Sequence, residues 1–422
     1  MSEIPGPQSR SLRARLAEVE SRNVTYLGDG FPVFWESASR ATVVDADANR
    51  YVDLTAAFGV AAVGHANPAV AAAIAQQAQL LAHGMGDVHP TEIRVRLLER
   101  LVRIAPRGME RVFLATTGSE AVEAAMKTAM LATGKTSFAA YAGAYHGLSL
   151  GALVVCGQER FREPFAGALP SRPLLLGFPR EDAALEDALE ATRATLSARD
   201  DVAALFIEPV QARAGIVVPP QGYLRGVRDI CDELGVLLVV DEIYTGFGRT
   251  GEWFACNREN VVPDLLCIGK AMGGGFPVSA LLGTTRVMSA WPPSAGEALH
   301  TSTYLGNPMG CAAALATIDE IERLELCARA KRLGAKLAAR LPTLLDMECV
   351  ADVRGRGMMW GLELRDAATA GRAVKEALAR GVILLQAGPT GEVLSITPPL
   401  VIAESELERG LSVVTTAIAA AA

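Results

Sequence analysis

Two segments in the middle of the chain combine charged side chains with glycine-rich loops, and each follows an apolar run typical of a buried strand. In residues 237–242 (LLVVDE) the apolar run ends in Asp241 and Glu242. In residues 263–277 (PDLLCIGKAMGGGFP) a similar run leads to Lys270, and three consecutive glycines follow shortly after it. Glycine lets the backbone approach a ligand closely. A lysine in such a place is suited to Schiff-base chemistry with a carbonyl compound, because its surroundings can lower its pKa.

A third segment is predicted to bind phosphate. Residues 111–115 (RVFLA) predict a strand and residues 119–132 a helix. Between them, Thr117 and Glu120 fit the T-x-x-E capping box of a helix N-terminus. Free backbone N–H groups and the positive end of the helix dipole favour an anion at that position. Each of the three segments also has a purely structural explanation, so their combination carries the prediction.

The elements that must position these residues alternate between short apolar runs and longer helical patterns. Continuous apolar runs, in which polar and apolar residues do not alternate, are typical of parallel strands that are covered on both faces. Ligands of such α/β sheets bind at the carboxyl ends of the strands, where the acids and the lysine fall. Further strands of this kind are predicted at residues 138–141, 202–207, 236–240, 265–268 and 278–282.

The two ends of the chain have a different pattern. Residues 33–54 predict a hairpin-like segment, with turn chemistry in the sequence ADANR. A long helix is predicted from Met309 to Leu326, and shorter elements follow it. We interpret the ends as a smaller α+β domain that is built from both.

The composition excludes several classes of function. There are 40 Lys and Arg residues against 47 Asp and Glu residues, and the formal net charge of −7 does not favour nucleic acid. The 7 cysteines form no CxxC pair and the 5 histidines show no metal-binding spacing, so no metal site is predicted. The N-terminus has no signal-peptide pattern, and no stretch approaches the ~20 apolar residues that span a membrane. We therefore expect a cytoplasmic protein with no nucleic-acid or membrane partner.

A lysine, an acid and a phosphate site on one α/β sheet resemble the pyridoxal-phosphate enzymes of fold type I. The order of the motifs is similar to that of the class III aminotransferases, which include ornithine, acetylornithine and 4-aminobutyrate aminotransferases. The resemblance runs from about Val43 to Ile402, nearly the whole chain. The matching segments are GHANP, TTGSEAVEAAMK, YHG, EPVQ, DEIYTGFGRTG, GKAMGGGFP, STYLGNP, VRGRGMMWG and TPPL.

The resemblance implies an α/β fold with a large domain around a mixed, mostly parallel sheet and a smaller α+β domain. Residues 1–60 would join the small domain, residues 61–315 would form the large pyridoxal-phosphate-binding domain, and residues 316–422 would form the C-terminal small domain. The implied cofactor is pyridoxal 5′-phosphate. The implied small-molecule partners are an amine or amino acid and a 2-oxo acid.

The resemblance also implies roles for individual residues. Lys270 is similar to the lysine that forms a Schiff base with the cofactor, and Asp241 to the acid that keeps the pyridine nitrogen protonated and the ring an electron sink. Thr303 resembles a threonine that reaches the phosphate in the partner subunit, which implies a homodimer with shared active sites. The other implied cofactor-binding residues are Gly118 and Ser119 at the phosphate, Tyr145 above the ring with its neighbour His146, Ile243 below the ring, and Gln211 near the ring hydroxyl with Glu208 in the same turn.

Three polar positions differ from the 4-aminobutyrate and ornithine branch of that family. The branch has a glutamate in place of Arg213 and arginines in place of Leu148 and Ser395. An arginine kept beside Arg213 would be repelled by it, so the changes are electrostatically consistent. The planar fork of Arg213 is predicted to receive a substrate carboxylate, unless it points to solvent or pairs with a local acid. Phe58 is predicted to add apolar surface to the substrate pocket.

The predicted activity is transfer of an amino group to a 2-oxo acid, and two related activities remain open. A racemase or epimerase on the same scaffold also needs Lys270 and Asp241, and an aminomutase is a third variant. A non-catalytic cofactor-binding protein is disfavoured by the complete set of lysine, acid and phosphate residues. A dinucleotide site is disfavoured because no G-x-G-x-x-G opens a helix after a strand. The sequence does not identify the donor, the acceptor or the stereochemical preference.

Overall fold

The computed structural model describes residues 4–28, 30–170 and 172–422 of the chain. Within these residues there are one seven-stranded sheet and two four-stranded sheets. The strands are β1 (Trp35–Ser39), β2 (Thr42–Asp45), β3 (Arg50–Asp53), β4 (Met109–Ala115), β5 (Ser137–Tyr141), β6 (Leu174–Leu176), β7 (Val202–Ile207), β8 (Leu237–Asp241), β9 (Leu265–Ile268), β10 (Ser279–Thr284), β11 (Val350–Arg356), β12 (Met359–Leu364), β13 (Val382–Ile383), β14 (Leu385–Ala387) and β15 (Val393–Ile396).

The α-helical segments lie between and around these strands. They are α1 (Pro7–Val19), α2 (Ala56–Gly59), α3 (Pro68–Leu80), α4 (Glu92–Ile104), α5 (Gly118–Thr133), α6 (Leu150–Leu153), α7 (Glu159–Arg162), α8 (Leu185–Ser197), α9 (Tyr223–Leu234), α10 (Thr285–Met288), α11 (Pro308–Arg323), α12 (Leu326–Arg340), α13 (Ala367–Ala379) and α14 (Glu404–Ala421). Short 3₁₀ helices are Glu163–Ala168, Asp182–Ala184, Ala255–Glu259, Lys270–Gly273 and Leu341–Asp346.

The central sheet has the strand order β4-β10-β9-β8-β7-β5-β6. Neighbouring strands are parallel except at β10, which is antiparallel to both β4 and β9. Every residue of β7, β8 and β9 is buried, as expected for strands whose two faces are both covered. The predicted α/β fold with a mixed, mostly parallel sheet is confirmed.

Helix α5 begins at the predicted capping box. The Thr117 hydroxyl accepts a hydrogen bond from the Glu120 backbone N–H, at 3.3 Å. The Glu120 carboxylate accepts from the backbone N–H groups of Thr116 and Thr117, at 2.7 and 3.2 Å. The helix therefore starts at a fixed point directly after β4, and it ends at Gly134 in a left-handed conformation.

The long helix predicted from Met309 to Leu326 ends earlier than expected. Helix α11 stops at Arg323, and α12 begins at Leu326. Glu325 between them has a φ of 48°, which lies in the left-handed region and interrupts the helical path. The apolar periodicity of the sequence continues across this break, so the pattern did not predict the end of the helix.

The N-terminal segment forms three strands where a hairpin-like segment was predicted. Strands β1, β2 and β3 are consecutive antiparallel neighbours. The turn before β3 is held by Asp45, whose carboxylate accepts from the backbone N–H groups of Asp47 and Asn49. Strand β3 pairs in parallel with β13 from the C-terminal part of the chain. This pairing is consistent with a small domain built from both ends, while the boundaries at residues 60 and 315 stay a prediction.

The third sheet has the order β11-β12-β15-β14. Strands β14 and β15 are antiparallel neighbours, with Leu385 opposite Ser395. This pairing brings residues 385–387 next to residues 393–395. Among the described residues, no helix is long and apolar enough to cross a membrane.

Candidate active site

A cavity of about 440 Å³ lies at the carboxyl ends of β8 and β9. Its volume falls within the ~300–1,000 Å³ typical of small-molecule sites. It also receives residues from the start of α5, from α2 and from β14 and β15. The lining residues are Phe58, Gly118, Ser119, Tyr145, His146, Gly147, Glu208, Ala212, Arg213, Ile216, Asp241, Ile243, Tyr244, Lys270, Leu385, Gln386, Ala387 and Ser395.

Lys270 enters this cavity from the first residue of a 3₁₀ helix, two positions after the end of β9. Its backbone has a φ of 46°, an uncommon conformation for a residue with a Cβ atom. Burial lowers the pKa of its amine and the charge of Arg213 lowers it further, while the charges of Asp241 and Glu208 act in the opposite direction. The net lowering favours the neutral amine, the form that reacts with a carbonyl group and accepts a proton.

Asp241 is the last residue of β8, and its carboxylate is held from two sides. One oxygen accepts from the backbone N–H of Ile243 at 3.0 Å, and the other lies 2.8 Å from Nδ1 of His146. Burial alone would lower the pKa of His146, but the hydrogen bond to Asp241 and its charge outweigh burial, so the pKa is raised. With a proton on Nδ1, His146 donates to Asp241 and fixes the direction of the carboxylate.

The start of α5 has the features expected of an anion site. Gly118 and Ser119 line the cavity as the first two residues of that helix, whose first backbone N–H groups have no partner inside the helix. A Cβ atom on Gly118 would lie 2.8 Å from the Cδ1 atom of Ile243, which lines the same cavity. A larger residue at Gly118 would therefore displace Ile243.

Tyr145 and Glu208 both line the cavity and are connected by a hydrogen bond. The Glu208 carboxylate accepts from the backbone N–H groups of Tyr145 and Ala212, at 3.0 and 3.3 Å. Burial raises the pKa of Glu208 to about 7; the nearby charge of His146 lowers it, and that of Asp241 raises it. The Tyr145 ring packs edge-on against Phe161, at 5.8 Å between ring centres.

Gln211 does not line the cavity. Its side-chain amide donates to the carbonyl of Ala142 at 3.0 Å, and the residue is almost fully buried. Its backbone pairs with Val217, which closes the turn after β7. The geometry shows Gln211 as a support for that turn, and its position near a ring hydroxyl stays a prediction.

Phe58 reaches the cavity from α2, whose backbone is a strained turn rather than a regular helix. Ala56, Ala57 and Phe58 have φ values of 47°, 47° and 62°, all in the left-handed region. Such conformations cost about 1–3 kcal/mol each and persist where the surroundings impose them. Here Asp53 holds the turn, because its carboxylate accepts from the backbone N–H and the hydroxyl of Thr55, at 2.7 and 2.6 Å. Phe58 is left 57% exposed.

Arg213 and Ser395 both line the cavity, while Leu148 lies outside its lining. The Arg213 side chain is exposed, and no ion pair or side-chain hydrogen bond joins it to another residue in the part of the chain that the structure describes. Its charge nevertheless acts on the pKa of Lys270. The structure therefore brings the predicted guanidinium to the cavity and leaves it available to a ligand.

Thr303 is exposed and lies outside the cavity. It precedes Tyr304, whose ring packs against His83 at 5.4 Å between ring centres. Its predicted contact with a partner subunit stays a prediction.

Several lining residues were not among the predicted site residues. Tyr244 follows Ile243 directly, and its place just after a strand end was the signal that could have indicated it. Leu385, Gln386 and Ala387 come from a short edge strand with no distinctive pattern. Sequence spacing alone could not have placed that strand at the cavity.

The chain matches the model of the class III aminotransferase family over residues 26–418. It is 38% identical over 383 residues to an acetylornithine aminotransferase of Methanopyrus kandleri, covering 90% of this chain and 93% of that protein. It is also 38% identical over 403 residues to an acetylornithine aminotransferase of Methanothermobacter thermautotrophicus, covering 94% of this chain and 97% of that one.

Two solved structures are similar over nearly their whole length. One is an amine transaminase from an uncultivated Pseudomonas species in its PLP-bound form, with a TM-score of 0.89, 30% identity and coverage of 96% of this chain and 100% of the other. The second is adenosylmethionine-8-amino-7-oxononanoate aminotransferase of Methanocaldococcus jannaschii, with a TM-score of 0.91, 28% identity and coverage of 97% and 99%.

Proposed function

The chain belongs to the class III aminotransferases and is a pyridoxal-phosphate-dependent aminotransferase, and we propose that Lys270 is its reactive amine. The observation that supports this proposal is the convergence of Lys270, Asp241 and Gly118 on one cavity. They come from the ends of β9 and β8 and from the start of α5. An amine, an acid and a helix N-terminus thus line the same cavity.

The cavity residues fit pyridoxal phosphate. Gly118 and Ser119 would hold its phosphate at the helix N-terminus. Asp241, a buried acid aimed by His146, would hold the ring nitrogen. When bound, the cofactor supplies a carbonyl group for the amine and a ring that withdraws electrons.

The protein's own residues would then perform three tasks. Lys270 would bind the cofactor and, once released by the donor amine, take the proton from the substrate carbon that bears the nitrogen. Its lowered pKa suits it to that task, because a neutral amine is needed to accept the proton. Asp241 and His146 would keep their hydrogen-bonded geometry throughout, and Tyr145 and Ile243 would exclude water from the cavity.

We propose that the carboxylate of the substrate binds to Arg213. Arg213 lines the cavity and has no acidic partner in the described parts of the chain, which supports this assignment. The curated relatives are named acetylornithine aminotransferases, but Arg213, Leu148 and Ser395 change the charges that the ornithine-like branch uses for carboxylates. We therefore propose a donor that presents one carboxylate to Arg213, with Phe58 contacting an apolar part.

A panel of amines and amino acids, each supplied with pyruvate or 2-oxoglutarate, tests this function. The product mixture is scored for both the oxo product and the inverted enantiomer of the donor. Oxo product that depends on the acceptor supports transamination. Inversion of the donor without an acceptor would instead support a racemase, which no similarity favours.

We also propose a homodimer with shared active sites. The described surface around Thr303 supports it, because Leu80, Met85, Leu299 and Tyr304 are 74%, 57%, 70% and 62% exposed. The segments that carry them touch, since the side-chain amide of Asn307 donates to the carbonyl of Ala82 at 3.1 Å. Exposed apolar side chains that cluster in this way are typical of an interaction surface.

Mixing two inactive variants tests the shared sites. Lys270→Ala and a Thr303 variant that lacks activity are unfolded or dissociated together and reassembled. A hybrid dimer would contain one site with both defects and one site with neither, so activity should return. No recovery, although hybrids are shown to form, would refute the sharing.

We propose the cytoplasm as the location. All 7 cysteines are free thiols, and six of them are buried. Free thiols without disulfides are typical of a reducing compartment. Secretion with the thiols oxidised, seen by cell fractionation and thiol counting, would contradict it.

A further inference from the structure

The amine of Lys270 faces an aromatic ring. Its Nζ atom lies 4.4 Å from the centre of the Tyr244 ring, within the ~6 Å over which a cation is attracted to a ring face. No hydrogen bond or ion pair links this Nζ atom to another residue among those that the structure describes. The ring of Tyr244 is therefore a close non-covalent partner of the reactive amine.

The Tyr244 ring is fixed from two sides. Its hydroxyl lies 3.1 Å from the hydroxyl of Thr397, which donates to the carbonyl of Thr55 at 3.2 Å. On the other side, a Cβ atom added to Gly59 would lie 3.1 Å from the Cε1 atom of the ring. The left-handed turn that presents Phe58 thus packs directly against the ring that faces Lys270.

We propose that Tyr244 is a positioning residue: once the released Lys270 has taken the substrate proton, the resulting ammonium is held on the face of the Tyr244 ring. Thr397 and Gly59 fix the ring, so the turn that carries Phe58 also sets the position of the amine. This inference rests on the proposed role of Lys270. It adds the residue that determines the position of the lysine side chain while it is not bonded to the cofactor.

Other charged groups also act on Lys270. The negative charges of Asp241, at the end of β8, and Glu208, just after β7, favour the protonated form of Lys270. The positive charge of Arg213, in the turn after β7, disfavours it. Burial favours the neutral form most strongly. The ring differs from all of these because it attracts the ammonium without carrying a net charge or accepting its proton.

The test measures the pKa of free Lys270 without turnover. The protein is loaded with pyridoxamine phosphate, which leaves the lysine amine unbound, and is treated with cyanate at a series of pH values. Cyanate modifies the neutral amine, so the rate of modification of the Lys270 peptide, followed by mass spectrometry, gives the pKa. Tyr244→Phe loses the contact with Thr397 but keeps the ring and its packing against Gly59. It should leave this pKa within about 0.3 unit of the wild-type value, because the ring face supplies the attraction.

Tyr244→Leu removes the ring and should lower the pKa of Lys270 by about 0.5–1.5 units, the range that a partly desolvated cation–π contact corresponds to. Tyr244→Met serves as the second variant if the leucine variant does not fold, because it fills similar volume without a ring. Tyr223→Leu removes a buried tyrosine ring that does not line the cavity and is the matched control. It should lower stability without moving the pKa.

Two outcomes separate this inference from the proposed function. If the Lys270 peptide carries the cofactor in the wild type but its pKa is unchanged in both Tyr244→Leu and Tyr244→Met, the positioning role is refuted alone. If another lysine carries the cofactor, the proposed function itself is wrong. A lowered pKa in the ring-deficient variants, together with an unchanged value in Tyr244→Phe, supports the inference.

Discussion

The residues that line the cavity form two groups that are built in different ways. The sheet-end group, Gly118, Asp241 and Lys270, comes from the ends of elements of the central sheet. The loop group, Phe58 and Arg213, comes from a left-handed turn and from the turn after β7, and both of its side chains are exposed. Elements at the ends of the sheet strands fix the positions of the first group. The positions of the second group depend mainly on the turns in which its residues lie.

With the roles proposed above, the sheet-end group would carry the chemistry and the loop group the choice of substrate. Asp241 is 5% exposed and hydrogen-bonded on both oxygens, so its direction is fixed before any ligand arrives. Arg213 is exposed with no ion-pair partner among the described residues, so a ligand would complete its contacts. Rigid elements fix reacting groups more accurately than loops do, while exposed loops tolerate the changes that alter specificity.

The largest effect should follow from a change in the sheet-end group. Asp241→Asn removes the negative charge that would hold the ring nitrogen, and we expect turnover to fall by about 10²–10³-fold, as for loss of one preorganised electrostatic contact. All substrates should be affected alike. Steady-state rates on an acid and an amine donor measure this.

Glu242→Gln is the matched control for that change. Glu242 is the adjacent acid, but it lies outside the cavity lining and accepts hydrogen bonds from the Thr245 hydroxyl and the Cys256 backbone. Its loss should affect the melting temperature more than the rate. Near-normal turnover of Asp241→Asn would contradict the proposed catalytic role of Asp241 and leave it no different from Glu242.

A smaller and substrate-dependent effect should follow from a change in the loop group. A bidentate contact between Arg213 and a carboxylate is worth ~1.5–3 kcal/mol. Arg213→Ala should therefore lower kcat/KM for a carboxylate donor by about tenfold to a hundredfold, at ~1.4 kcal/mol per decade. An amine of similar size without the carboxylate should be barely affected.

Arg213→Lys is the control for charge without the planar fork, and it should restore only part of the loss. The three proteins are compared by kcat/KM on the matched acid and amine. Equal losses on both substrates would show that Arg213 has a structural role, and Phe58 would then be the next residue to test.

The last effect concerns stability rather than turnover and involves Glu208, which lies next to both groups. Its pKa is raised by burial from 4.5 to about 7, so an unfolded chain releases this proton at a lower pH than the folded one. Between these values the unfolded state binds fewer protons, and the free energy of unfolding falls as the pH rises. The shift from 4.5 to about 7 corresponds to roughly 3 kcal/mol, at ~1.36 kcal/mol per unit.

Glu208→Gln removes the titration, so the stability difference between the two proteins should change between pH 4.5 and 7 and be constant above about pH 8. Denaturant unfolding of both proteins in the same cofactor state and at equal concentration measures it. A constant difference across the whole range would show that Glu208 ionises normally.

The sheet-end group could be predicted from the sequence because its residues have chemically reactive or conformationally special types and also follow recognisable elements. Asp241 and Lys270 each follow a continuous apolar run, and parallel strands place such positions at one edge of a sheet. The capping box likewise fixed the start of α5 close to the predicted residue. Local patterns were sufficient because each residue's position depends on the element that directly precedes it.

The loop group could be predicted only in part. Phe58 and Arg213 were indicated by their differences from a resembling family, but the left-handed turn under Phe58 is formed by two alanines that carry no turn signal. Leu385–Ala387 reach the cavity through pairing of β14 with β15, a tertiary arrangement without a local pattern. Tyr244 follows a strand end, yet its contact with Lys270 depends on the packing of Gly59.

The identity of the reactive amine is the central claim, and one labelling experiment tests it most directly. The protein loaded with pyridoxal phosphate is reduced with borohydride, digested, and mapped by mass spectrometry for the lysine that carries the cofactor. The candidates are Lys127, Lys135, Lys270, Lys331, Lys336 and Lys375. We expect the adduct on the Lys270 peptide alone, and no adduct in Lys270→Ala. An adduct on another lysine, or the same adduct retained in Lys270→Ala, would contradict the account.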